Sequence, residues 1–127
     1  MDLFFDNEFR QIIPSLSAEE RAGLVESLQT EGNREPIVVW KETQLLLDGH
    51  NRYDICTEKG IALKDPVELS FPTRDAAKIW IINNQLGRRN LAPYQRSVLA
   101  LRLGAIYEAQ AKARQATSGP GTYGGKP

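Results

Sequence analysis

Cysteine is nearly missing from this chain. Cys56 is its only example, which excludes an internal disulfide framework and any zinc site built from several thiolates. Redox chemistry would rest on one thiol. No apolar run approaches the roughly 18 residues of a membrane span. The opening residues Met1-Asp2-Leu3-Phe4-Phe5-Asp6-Asn7-Glu8 carry acids where a secretory signal needs basic residues. A cytoplasmic protein without a membrane partner is expected. Internal repeats are also lacking, and 127 residues make one domain's worth, enough for a core without staples. Apolar residues at 41% and charged residues at 25% exclude disorder throughout.

Net charge is zero, yet the charges are unevenly placed. Residues 1–70 hold 7 basic and 14 acidic side chains, whereas residues 71–127 hold 9 basic and 2 acidic ones, Asp75 and Glu108. Two readings follow. The basic half meets an anion such as a nucleotide, a nucleic acid or an acidic partner, or the two halves neutralise each other within one fold.

Ser17-Ala18-Glu19-Glu20 is a capping box, and Leu24, Val25 and Leu28 follow at helical spacing before Gly32. This pattern predicts a helix over about 18–30. Pro36–Trp40 and Gln44–Asp48 are β-rich runs separated by Lys41-Glu42-Thr43, the length of a hairpin loop. The second run leads through Gly49 into a helix that Gly60 stops. Pro66–Phe71 alternates like a half-buried strand. Thr73 then caps a helix with Ala76, Ala77, Ile79, Trp80 and Ile82 on its apolar face, ending near Leu86 at Gly87. Pro93 suits the first turn of a long last helix, about 93–113, whose apolar face would be Tyr94, Val98, Leu101, Ala105 and Ala109. The expected fold class is α+β, a small mixed sheet with packed helices followed by a long C-terminal helix. Residues 1–92 form the domain, 93–115 the helix that packs on it or leads to a further domain, and 116–127, crowded with glycine and proline, a flexible tail or linker.

Chemistry concentrates in two segments. A glycine between strand and helix leaves the first helical amides free for an anion, and Arg52 adds a bidentate fork. Gly49, His50, Asn51 and Arg52 would form a phosphate cradle. The alternative is a turn whose arginine pairs with Asp48 or Asp54. The second segment, Asn83-Asn84-Gln85-Leu86-Gly87-Arg88-Arg89-Asn90-Leu91, gathers amides and guanidinium groups that bind phosphates, bases or carboxylates, or else forms a solvated interhelical loop. His50 with Asp48 and Asp54 could serve a metal-dependent nuclease, but further ligands would have to come from elsewhere and no metal site is assigned. Cys56 reads as core, and Trp40 and Trp80 as packing.

Three segments in this order resemble the ParB/sulfiredoxin superfamily, specifically the N-terminal domain of ParB-like proteins from chromosomes, plasmids and phages. Gly32-Asn33-Arg34-Glu35-Pro36-Ile37-Val38-Val39 is similar to its first box, Gly-x-x-x-Pro-Ile-x-Val. Leu46-Leu47-Asp48-Gly49-His50-Asn51-Arg52 is similar to the second, usually Gly-Glu-Arg-Arg, with Gly49 and Arg52 matched and His50 and Asn51 changed. Asn84, Gln85, Arg88, Leu91 and Pro93 fall on the third, Glu-Asn-x-x-Arg followed by Leu-x-Pro. The resemblance implies a nucleotide-binding switch module of a DNA-associated partition or regulatory protein, taking cytidine triphosphate or another nucleoside triphosphate with Mg2+. It places Gly49, His50, Asn51, Arg52, Asn84, Gln85, Arg88 and Arg89 at the phosphates. DNA is the implied partner, directly or through a further domain, and a homodimer is possible. Direct DNA contact through Arg88, Arg89, Arg96 and Arg102 would be weak and salt-sensitive. His50 stands where sulfiredoxin carries its cysteine, so that chemistry is excluded. Asn84 replaces the glutamate that faces magnesium, so at most slow triphosphate hydrolysis is expected. A nuclease and an adaptor that has lost ligand binding remain the alternatives.

Overall fold

The computed structural model describes residues 3–88 and 91–123, with side chains placed through residue 116. Its elements are α1 (Asn7–Ile12), α2 (Ala18–Glu31), β1 (Val38–Trp40), β2 (Leu45–Asp48), α3 (His50–Lys59), β3 (Val67–Leu69), α4 (Arg74–Leu86) and α5 (Pro93–Tyr123). The sheet order is β2-β1-β3, antiparallel on one side of β1 and parallel on the other. The mixed α+β architecture is the expected one.

Local signals set most boundaries. The Glu20 amide donates to Ser17 Oγ (3.0 Å) and the Ser17 amide to Glu20 Oε1 (2.8 Å), so two orphan donors of α2 are satisfied at once. Thr73 caps α4 by accepting from the Ala76 amide (3.1 Å). In the hairpin, Val38 pairs with Asp48 but Val39 pairs with Leu46. Leu47 is therefore a bulge, and adjacent leucines serve opposite faces of the sheet. Leu47 joins Phe9, Trp40, Ile81, Ile82 and Leu99 under α1, α4 and α5. Leu46 packs with Ile37 and Val39, near Tyr53 and Leu63. A third cluster of Leu28, Ile55 and Cys56 joins α2 to α3.

Four features depart from the sequence expectations. β3 is an edge strand with Val67 and Glu68 exposed and Leu69 half-buried; alternation of residue types could not reveal that only β1 would pair with it. α1 went unforeseen because six residues hold too little periodicity to read. Asp6 caps it through the Phe9 amide (3.1 Å), and Phe9 is fully buried. α5 turns a different face inward. Tyr94 and Leu101 are 72% and 75% exposed, while Leu99 is buried and Leu103 and Ile106 pack beside it. Both stripes have helical spacing, and α4 selects the one with bulkier aliphatics. Finally, α5 continues past residue 113 to Tyr123, through residues assigned to the tail. Extending an existing helix needs no new nucleus, which offsets some of the poor propensity of glycine and proline.

Part of the charge asymmetry is neutralised inside the molecule. Arg74 bonds Asp6 Oδ1 (2.7 Å) and Glu8 Oε1 (2.8 Å), and Lys78 bonds Glu8 Oε2 (2.8 Å). These contacts hold the carboxyls of Asp6 and Glu8 below their ordinary range. Arg102 donates to the carbonyls of Gln11 and Ile12 at the C-terminus of α1, where a cation complements the helix dipole.

Candidate functional site

The site grows from the end of β2. Gly49 has φ 103° and ψ 23°, and its carbonyl accepts the first α3 bond from the Tyr53 amide (2.8 Å). The amides of His50, Asn51 and Arg52, one turn short of an i−4 partner, open the helix with no side-chain cap. A Cβ on Gly49 would lie 2.8 Å from Ile37 Cγ2 and 3.1 Å from Arg52 Nη2. Glycine is needed there both for its torsions and for the close approach.

Asp48 sits at the centre. Its Oδ2 accepts from Arg52 Nη2 at 3.4 Å and Arg88 Nη2 at 3.3 Å, and its Oδ1 from Gln85 Nε2 at 3.2 Å. Arg52 also donates to the Pro36 carbonyl at 3.4 Å. The side chains of Asp48 and Arg52 are each 12% exposed, that of Arg88 33%. The tertiary fold thus joins the second and third boxes of the sequence. Arg52 and Arg88 approach from different elements, and the carboxylate anticipated as an alternative partner, Asp48, lies between them. The Nε atoms of both arginines are buried without a partner. Asn33, in the first box, is likewise buried with both side-chain polar atoms unpartnered. Nothing in its sequence context marked it beyond its place in that box.

His50 is 8% exposed and its Nε2 has no partner. Burial, aided by the charge of Arg10 and opposed by Asp54, Asp48 and Asp6, pushes its pKa down to about 4. In the unfolded chain an imidazole titrates near 6.5. Between these values the unfolded state binds the extra proton, so stability falls as pH drops from about 6.5 toward about 4. A loss of about 1–3 kcal/mol is expected across that window, since one unit is worth about 1.4 kcal/mol. Urea unfolding at pH 7 and pH 4.5 checks it. His50→Gln should remove most of the difference, and an identical difference in the variant would assign the acid sensitivity to the carboxylates instead.

The remaining expected residues lie as follows. Asn51 is exposed and Asn84 half-buried; Arg89 lies outside the described residues. Arg96 donates to the carbonyls of Leu86 (2.9 Å) and Arg88 (2.8 Å), tying α5 to the end of α4. Arg102 is engaged at α1. Asp54 pairs with Arg10 at 2.8 Å, and among the described residues no three His, Cys, Asp or Glu side chains gather as metal ligands. Cys56 is buried, which pushes its thiol pKa up, and Trp40 is core. No helix among the described residues is long and apolar enough to cross a membrane.

No protein-family model matches the chain, and no curated protein matches it. Solved structures do. The C2221 form of a Pnob8-like ParB-N domain superposes with a TM-score of 0.75 at 24% identity, covering 91% of this chain and 46% of that one. A pNOB8-like ParB N-domain gives 0.67 at 26% identity, covering 91% of this chain and 44% of that one. The chain spans less than half the length of either.

Proposed function

We propose that this chain, which folds as a ParB-like N-terminal domain, is the nucleotide-binding switch module of a DNA-associated partition or regulatory protein. One observation carries the reading: Arg52 and Arg88, from separate elements, converge beside the uncapped N-terminus of α3 on a single anionic group. That is the donor set a polyphosphate uses. Guanidinium forks supply paired N–H donors, and the first amides of a helix supply more, aided by the dipole.

Cytidine triphosphate with Mg2+ is the ligand class proposed. Arg52 would hold one phosphate against α3, and Arg88 would draw the end of α4 onto the same group. Asn84 would offer the magnesium a neutral oxygen in place of a carboxylate, and an amide cannot take a proton from attacking water. Binding therefore outlasts hydrolysis, and the domain acts as a sensor. DNA contact by this chain alone is weak, because Arg96 and Arg102 are already committed to carbonyls.

Calorimetric titration with the four ribonucleoside triphosphates, with and without magnesium, tests the proposal. Arg52→Ala is expected to weaken binding more than tenfold, the loss of a charge-assisted contact worth about 1.5–3 kcal/mol. An unchanged dissociation constant would remove Arg52 from the pocket. Silence with all four nucleotides would replace the reading with that of a protein-interaction adaptor.

A further inference from the structure

Arg52 and Arg88, the cations proposed for phosphate, are already occupied by Asp48. We infer that Asp48 is the resident counter-anion of the cradle, and that phosphate enters by taking over the hydrogen bonds Asp48 now accepts. The inference rests on the triphosphate reading above and adds the means by which that site is regulated.

Three features point to exchange in place of a permanent clamp. The bonds are long, 3.4 Å from Arg52, 3.3 and 3.5 Å from Arg88, and 3.2 Å from Gln85, whereas a well-formed bond between a cation and an anion measures about 2.7–2.9 Å. A ligand free to choose its position would bond more closely than a carboxylate fixed at the end of a strand. The donors are also unsaturated, since Nε of each arginine is buried and unpartnered. A carboxylate has two oxygens and a phosphate three, so phosphate can meet donors that Asp48 leaves open. Lastly, one carboxylate faces two guanidiniums and the positive end of α3, so the cluster keeps an excess of positive charge with Asp48 in place.

Asp48 would then set a threshold. A singly charged anion gains little by displacing it, whereas a polyphosphate brings enough charge and oxygen atoms to do so. Asp48→Asn keeps the side-chain shape and removes the competing charge. With inorganic tripolyphosphate as the probe at neutral pH, the variant is expected to bind at least tenfold more tightly than the unaltered protein. Binding by the unaltered protein, lost in Arg52→Ala but equal or weaker in Asp48→Asn, would overturn the inference and leave the cradle standing. No binding by either the unaltered protein or Asp48→Asn would overturn both.

Thermal melting reports whether the variant folds. If it does not, the carboxyl carbon resonance of Asp48 in the unaltered protein decides. A shift at tripolyphosphate saturation shows Asp48 released from the guanidiniums, and a resonance that stays in place while the ligand binds overturns the exchange.

Discussion

Phe9→Ala is expected to lower the unfolding free energy by about 3–5 kcal/mol, the range for truncating a buried aromatic ring. Phe9 is fully buried. Its ring lies 6.1 Å from that of Trp40, and the Arg74 guanidinium stacks 4.4 Å from its centroid. The same guanidinium reaches Asp6 and Glu8, so the ring anchors both the apolar contact and the ion-pair cluster that hold α1. A helix of six residues does not persist without such docking. Urea denaturation followed by tryptophan fluorescence measures the loss. A shift under about 1 kcal/mol would mean that α1 detaches before the rest of the domain unfolds and lies outside its cooperative unit.

Gly49→Ala combines two costs. At φ 103° an L-residue is strained by about 1–2 kcal/mol. The new Cβ would also meet Ile37 Cγ2 at 2.8 Å, and Ile37 is itself buried with Val39 and Leu46, so overpacking adds about 1–3 kcal/mol. A total of about 2–5 kcal/mol is expected. Arg52 Nη2, 3.1 Å from the added carbon, would be displaced from its place beside the first turn of α3. Gly60→Ala is the matched control: φ 70° and ψ 29° lie in the same left-handed region, but nothing lies within 4 Å of the point its Cβ would occupy. Chemical denaturation of both variants separates the effects, and equal losses at the two glycines would eliminate the steric part.

Much of the site's local form was legible in the residues. Gly49 between a leucine-rich strand and an amphipathic helix marks a turn with free amides whatever surrounds it, because torsion and missing N–H partners are properties of a few consecutive residues. The capping box at Ser17 and the cap at Thr73 were readable for the same reason. Arg52 was less so. Asp48 and Asp54 are both near it in sequence, and only the placement of α1 decides between them: Arg10 takes Asp54 and leaves Asp48 to Arg52. Asn33 and His50 became buried polar groups through packing that no local pattern announces.

Sequence alone determined the order of strands and helices from α2 onward, the glycine turn and the grouping of cations toward the C-terminal half, since each depends on neighbours within a few residues. Tertiary structure decided which stripe of α5 faces inward, that Val67 lies exposed on an edge strand, and that Arg74, Lys78 and Arg88 meet acids 40 to 70 residues away. It also brought Gln85 and Arg88 to Asp48. Such choices are made by contacts between distant segments, where burial and charge pairing are shared by surfaces that only the folded chain creates.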